Sequence, residues 1–99
     1  MDKRKLIYSI LKEIEQENEP KSQDYEISLE EFGTVVEMMQ SDGLIKGALV
    51  QRGGRGNGVV YAFTHKAKIE MKGLTYLEEN STWAKAYKGI KEVVGFIKP

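Results

Sequence analysis

The chain has 99 residues, carries no formal net charge and contains no cysteine. A chain of this length buries one modest hydrophobic core, so we expect a single domain over residues 1–99. The absence of cysteine excludes disulfides and thiolate metal sites. Since no apolar run approaches the ~18 residues that a membrane-spanning helix needs, we expect a cytoplasmic protein without membrane contact.

The charges are unevenly distributed along the sequence. Residues 1–42 carry five Lys or Arg and eleven Asp or Glu, whereas residues 43–99 carry ten and four. Such an asymmetry suits a polarised surface that binds charged partners. The alternative is that the fold interleaves the two halves and cancels the asymmetry.

The first quarter of the sequence predicts a helix followed by a polar connector. Apolar residues recur at helical spacing over residues 3–17, with Asp2 as the N-cap. Pro20 disfavours helical geometry in the residue before it and ends this helix. The polar residues 18–26 are too few for a full helix, and we expect a connector with a short extended piece at 24–26.

A second helix is predicted over residues 29–41. Ser28 and Glu31 have the spacing of a capping box, in which each side chain satisfies a backbone N–H of the first turn. The helix ends where Gly43 can adopt the left-handed cap conformation. An apolar stripe along this helix is expected to face the core.

Beyond Gly43 the pattern becomes strand-like. Residues 44–51 and 59–64 read as the two strands of a β-hairpin, the second rich in β-branched and aromatic side chains. The segment 52–58 between them is a glycine-rich tip that can turn but cannot pack. Residues 66–70 are a candidate short third strand.

The C-terminal third predicts two further helices. Residues 71–80 form a short one, with Met71, Leu74 and Leu77 expected to face inward. A last helix is predicted over residues 82–97. On one of its faces lie four large apolar residues, which we interpret as a possible dimer seam: Trp83, Tyr87, Ile90 and Val94.

The order helix, connector, helix, hairpin, helix is typical of a winged helix. The sequence therefore predicts an α+β, winged-helix-like fold of four helices with a β-hairpin wing and a possible short third strand. The second helix would occupy the recognition position, and the glycine-rich tip would be the wing. The helix-turn-helix would be abbreviated because the connector is short.

Two blocks in the C-terminal third, Lys72 to Asn80 and Thr82 to Glu92, closely resemble the YjcQ family of small proteins from Gram-positive bacteria and their prophages. Leu6 to Ile14 is similar in character to the first helix of that family. The resemblance implies a compact domain of four helices and three strands, related to winged helices. It also implies a prophage or phage setting. It supplies no catalytic or binding residues.

The tip is the first candidate for a contact surface. It lacks the Gly-Lys-Ser/Thr ending of a phosphate-binding loop, and it joins two strands instead of leading into a helix. A nucleotide site is therefore not expected. We predict instead that Arg52 and Arg55 contact phosphate or an acidic protein. The alternative is a solvated hairpin loop.

The exposed face of the second helix is the second candidate. Helical geometry predicts that five residues face outward: Glu30, Thr34, Glu37, Met38 and Ser41. A helix that reads the major groove needs Arg, Lys, Asn or Gln on that face, and carboxylates repel the phosphates. Glu30 and Glu37 have no neighbouring cation in the sequence, so this face favours a protein partner. Because glutamate can accept a hydrogen bond from cytosine, base reading stays open.

Nothing in the sequence indicates an enzyme. His65 is the single histidine, with no second ligand beside it, and no catalytic, metal, cofactor or small-molecule site is expected. Two hypotheses remain. The first is a protein-interaction module, in prophage or phage assembly or in self-association. The second is a DNA-binding accessory or regulatory protein that contacts phosphates through the basic wing.

Overall fold

The computed structural model describes residues 1–98 and has an α+β fold compatible with a winged helix, as the sequence predicts. No helix in this range is long and apolar enough to cross a membrane. Five α-helices and four strands occur in this range: α1 Lys3–Glu15, α2 Ser22–Tyr25, α3 Leu29–Ser41, β1 Ile45–Lys46, β2 Leu49–Gly53, β3 Gly58–Phe63, β4 Lys68–Ile69, α4 Met71–Glu79 and α5 Val93–Ile97. Short 3-10 turns cover Arg55–Asn57, Ser81–Ala84 and Ile90–Glu92.

Helix α1 provides one wall of the hydrophobic core. Its apolar stripe is fully buried, with Leu6, Ile10 and Leu11 each at 0% exposure. The Asp2 carboxylate accepts hydrogen bonds from two backbone N–H groups of the first turn, which confirms the predicted N-cap. The helix ends at Glu15, two residues before the predicted end, and Glu17 adopts a left-handed backbone with φ 63°.

Helix α2 corrects the prediction of an extended piece in the connector. Its single turn is capped by the Asp24 carboxylate, which accepts a hydrogen bond from the Lys21 backbone N–H at 2.8 Å. Tyr25 is 1% exposed and stacks on Phe32 with ring centroids 6.1 Å apart. One buried aromatic anchor therefore stabilises a turn whose other side chains are polar, and the middle helix is abbreviated as predicted.

Helix α3 has the predicted boundaries and the predicted core face. The Ser28 side chain accepts a hydrogen bond from the Glu31 backbone N–H at 3.0 Å, which is one half of the predicted capping box. At the other end Gly43 has φ 78°, and the N–H groups of Gly43 and Leu44 donate to carbonyls of the last turn. This pattern is a Schellman motif, which directs the chain sharply into β1.

The strands form two antiparallel pairs. β1 pairs with β4, which confirms the short third strand, and β2 pairs with β3 with a bulge between Gln51 and Arg52. The predicted strand 44–51 is interrupted at Gly47, whose φ is 85°. Beside this break, the Gln40 side-chain amide donates to the Ala48 carbonyl and accepts from the Ala48 N–H, as a neighbouring strand would.

The C-terminal third departs most from the predictions. Helix α4 forms as predicted, but Leu77 faces the core whereas Met71 and Leu74 are 78% and 44% exposed. The predicted continuous helix 82–97 is wrong. The chain there forms two 3-10 turns and the short α5, and Gly89 between the turns has φ 95°, which no α-helix accommodates.

A chain of hydrogen bonds ties this irregular segment to α1. The Tyr25 and Ser9 hydroxyls are 3.0 Å apart, Ser9 donates to the Tyr87 hydroxyl at 2.8 Å, and Tyr87 donates to the Glu13 carboxylate at 2.5 Å. The Asn18 amide also donates to that carboxylate. Burial raises the pKa of Tyr25 and of Tyr87, which keeps both phenols protonated. The segment before α5 is therefore tied to α1 through Tyr87.

Replacing Tyr87 with Phe should lower the free energy of unfolding by about 1–3 kcal/mol, because Ser9 loses its acceptor and Glu13 loses a donor. Urea denaturation at neutral pH measures this. Tyr61→Phe is the matched control, since Tyr61 is an exposed tyrosine outside this chain of hydrogen bonds. Equal stability of the two variants would contradict a structural role for this chain of hydrogen bonds.

Candidate functional site

The β2–β3 hairpin lies across the face of α3 that the sequence predicted to be exposed. Gly33 makes this close approach possible, because a Cβ added there would lie 2.7 Å from a methyl carbon of Val59. The Val59 backbone N–H donates to the Glu30 carboxylate at 2.8 Å. Strand β3 therefore covers the middle of the helix.

Arg52 on the hairpin donates hydrogen bonds to α3 from all three of its guanidinium nitrogens. Nε and Nη2 donate to the Glu37 carboxylate at 3.1 and 2.7 Å, and Nη1 donates to Glu30 at 3.0 Å. Nη2 also donates to the Thr34 hydroxyl, and Nη1 to the Asn57 carbonyl. We call Arg52, Glu30, Thr34 and Glu37 the arginine network.

The charged groups of the arginine network shift one another's pKa. A hydrogen bond from the Val59 N–H, together with those from Arg52, lowers the pKa of Glu30. Hydrogen bonds from Arg52 lower the pKa of Glu37, and the two carboxylates raise the pKa of Arg52. All three groups are therefore charged at neutral pH. The expectation that these carboxylates lack a nearby cation is wrong, because the hairpin supplies one from a distant part of the sequence.

Most of the residues that the sequence singled out as partner contacts bind other residues of their own chain in the structure. Glu30, Thr34 and Glu37 bind the hairpin of their own chain, whereas Met38 and Ser41 of the predicted partner-facing set are exposed and make no side-chain hydrogen bond to it. Of the two predicted wing contacts, Arg52 is engaged within the chain. Arg55 alone stands exposed at the tip.

The opposite face of the hairpin is apolar and exposed. Leu49 and Phe63 are cross-strand partners, 51% and 44% exposed, and Tyr61 is 36% exposed. The Tyr61 and Phe63 rings stack with centroids 4.9 Å apart. We call Leu49, Tyr61 and Phe63 the hairpin face. Sequence reasoning missed this surface, although the alternation of aromatic rings at 61 and 63 is the period-two signal that could have identified it.

A groove adjoins the hairpin face where β3 passes α2. The exposed aliphatic side chain of Val60, the extra residue at the bulge, lies on its wall and is 58% exposed. The volume of the groove is about 460 Å³. None of its lining residues is acidic: Lys21, Ser22, Gln23, Leu29, Val60, Tyr61, Ala62 and Phe63.

The predicted dimer seam does not exist as a helix face. Its four residues pack, partly buried, against the core of their own chain: Trp83, Tyr87, Ile90 and Val94. The Trp83 ring packs on Tyr8 with centroids 5.6 Å apart, and Tyr87 packs on Phe96 at 5.2 Å. The helix that would have displayed them together is interrupted, so self-association, which stays a prediction, has lost this geometric basis.

Fold and surface together define a small α+β domain in which a wing-like hairpin is folded back onto the recognition-position helix. The sequence profile described as "YjcQ protein" matches residues 6–95. The chain belongs to this family. It is 36% identical over 99 residues to "Uncharacterized protein YjcQ" of Bacillus subtilis (strain 168), an alignment that covers 99% of this chain and 100% of the relative. Among solved structures no match is found.

Replacing Arg52 with Ala should lower the melting temperature at neutral pH, because the arginine network loses its cation. The folded-state pKa of both carboxylates is lowered, so their contribution to stability is present above the ordinary glutamate pKa of about 4.3 and is lost as the pH falls below it. The difference between wild type and variant should therefore shrink in acid, as measured by thermal unfolding at a series of pH values.

Arg55→Ala is the control for this experiment, since Arg55 makes no ion pair among residues 1–98. It should leave the melting temperature unchanged throughout. A difference for the Arg52 variant that stays constant between about pH 7 and about pH 3 would refute the electrostatic account of the network.

Proposed function

We propose that this protein is a non-catalytic protein-interaction module that binds its partner through the hairpin face. The observation that carries the proposal is that the two sides of the hairpin differ in exposure. Its inner side is occupied by α3, whereas its outer side leaves Leu49, Tyr61 and Phe63 in contact with solvent. Contiguous exposed apolar side chains with a polar surround are typical of protein–protein contact sites.

Aromatic residues favour this use of the surface. Tyr and Phe bury large areas with few rotatable bonds, so ordering them in a complex costs little conformational entropy. The stacked pair of Tyr61 and Phe63 is already ordered by its mutual contact. The hairpin that bears the pair is held by the arginine network, which makes the surface preorganised for binding.

A binding role is preferred to an enzymatic one because the polar side chains that could serve catalysis satisfy one another. Tyr25, Ser9, Tyr87 and Glu13 form one internal hydrogen-bond chain. The acids of α3 are bound by Arg52. A cytoplasmic, prophage or phage setting for the partner is an expectation that comes from the sequence and the family resemblance.

The double substitution Tyr61→Ser and Phe63→Ser should abolish capture of the partner from an extract of the host cell while leaving the melting temperature within a few degrees of wild type. The matched control is Met71→Ser with Leu74→Ser, which removes a similar exposed apolar surface from α4. Affinity capture followed by mass spectrometry measures the result. Equal capture by both variants would contradict a role for the hairpin face.

A second function, a DNA-binding accessory role, is favoured by one observation. Residues 43–69 contain five Lys or Arg and no acidic residue. Of these cations Arg52 is engaged in the arginine network, whereas Arg55 at the tip is exposed and makes no ion pair among residues 1–98. Phosphate contacts would therefore come from the tip and the lysines and would not read bases through α3.

The salt dependence of duplex binding tests this second function. Arg55→Ala should reduce the slope of log affinity against log salt by about 1, because one phosphate contact is lost. Lys85→Ala is the control, because Lys85 is exposed and lies outside residues 43–69, and it should leave the slope unchanged. Absence of any shift of duplex DNA at low salt would eliminate the DNA-binding function.

A further inference from the structure

Two lysines face each other directly across the β1–β4 pair. The register aligns Lys46 with Lys68, while Ile45 and Ile69 form the pair on the core side. Side chains of directly opposed residues lie on the same side of a sheet, so both lysines point to solvent. Like charges in this arrangement destabilise a sheet. Neither lysine makes an ion pair within 4.0 Å among residues 1–98, so the repulsion is not relieved within this range.

Lys66 adds a third cation to this pair. It is exposed and also makes no ion pair among the described residues. We call Lys46, Lys66 and Lys68 the lysine cluster. Glu15 and Glu17 line the same depression as Lys66 and Lys68, yet neither forms an ion pair with them. Glu15 pairs with a lysine of its own helix instead.

The lysine cluster continues the hairpin face. The His65 ring packs edge-on against Phe63 with centroids 6.1 Å apart, so the row of rings extends beyond β3. His65 also lines the same depression as Lys66 and Lys68. One surface therefore runs from stacked aromatic rings to lysines that form no ion pair among residues 1–98. At its other border, the groove beside α2 has Lys21 and no acidic residue in its lining.

We propose, on the basis of the function proposed above, that the partner binds through an acidic segment that also carries large apolar side chains. Its apolar side chains cover Leu49, Tyr61 and Phe63, while its carboxylates pair with the lysine cluster. Binding relieves the repulsion between Lys46 and Lys68, so the charge pattern favours the complex over the free protein. The lysines give preference for acidic partners, and the rings give most of the affinity.

Charge opposes a symmetric pairing of two copies through this surface. A two-fold axis through the rings would place the lysine cluster of one copy near the groove beside α2 of the other, whose lining contains Lys21 and no acidic residue. A second copy therefore does not complement the surface, whereas an acidic segment does.

Ring geometry favours protein over single-stranded nucleic acid. Bases bind aromatic side chains by stacking on exposed ring faces. Tyr61 and Phe63 each cover one face of the other. The aliphatic side chains of Leu49 and Val60, which are 51% and 58% exposed, offer no stacking surface. The available area matches apolar side chains of a peptide better than bases.

Selection of a random-peptide display library on the full chain tests the proposal. We expect the enriched peptides to combine Asp or Glu with large apolar residues, and to be lost when the target carries Tyr61→Ser and Phe63→Ser. Affinity of the enriched peptides should fall about tenfold when all three lysines of the cluster are changed to Gln. The control, Lys85→Gln with Lys88→Gln and Lys91→Gln, removes three exposed lysines elsewhere and should change affinity little.

Folding does not confound this experiment, because Lys→Gln at the cluster removes a repulsion and should leave the melting temperature equal or higher. Enriched peptides that need the hairpin face but show no acidic excess would overturn this inference and leave the proposed function intact. Peptides that ignore the hairpin face, or no enrichment over the Tyr61/Phe63 variant, would overturn both. A single-stranded oligonucleotide is also tested as a competitor of the enriched peptides. If it competes and that competition disappears in the Tyr61/Phe63 variant, the ligand of this surface is nucleic acid and the acidic-segment proposal is overturned.

Discussion

The placement of the hairpin depends on the contact between Arg52 and the two carboxylates of α3. A guanidinium that binds Glu37 through two nitrogens and Glu30 through a third fixes both distance and orientation, which a single apolar contact cannot do. It holds β3 close enough for Val59 to occupy the space above Gly33. The ion pairs are partly exposed, so their value lies in orientation more than in stability.

Once the inner side of the hairpin is fixed, the outer side follows from strand geometry. Successive side chains alternate between faces, so Val50 and Ala62 pack against the core while their neighbours Leu49, Tyr61 and Phe63 face solvent. The exposed apolar surface is therefore not a packing defect. It is a consequence of a strand whose apolar residues occupy both faces although only one face has a covering layer.

Local signals in the sequence predicted most elements correctly, and long-range contacts account for the errors. Caps and periodicity located α1, α3 and α4, since these depend on residues a few positions apart. The prediction of the last helix failed where Gly89 adopts φ 95°, close to Tyr87, whose hydroxyl bonds to Glu13, 74 positions away. The exposed face of α3 failed similarly, since Arg52 reaches Glu30 across 22 positions. No local pattern encodes either pairing.

The charge asymmetry of the sequence is partly cancelled and partly concentrated by folding. Arg52 carries charge from the basic half to acids of the acidic half, which is the interleaving that would erase a polarised surface. The lysine cluster escapes it, because the strand register places Lys46 beside Lys68, and Glu15 and Glu17 in the adjoining depression form no ion pair with the cluster. Since Arg52 is paired internally, the tip presents Arg55, whereas the lysine cluster presents three exposed cations at the base of the hairpin. An acidic peptide should accordingly bind at the β1–β4 strand pair next to the aromatic rings, where exposed cations are more numerous than at the wing tip.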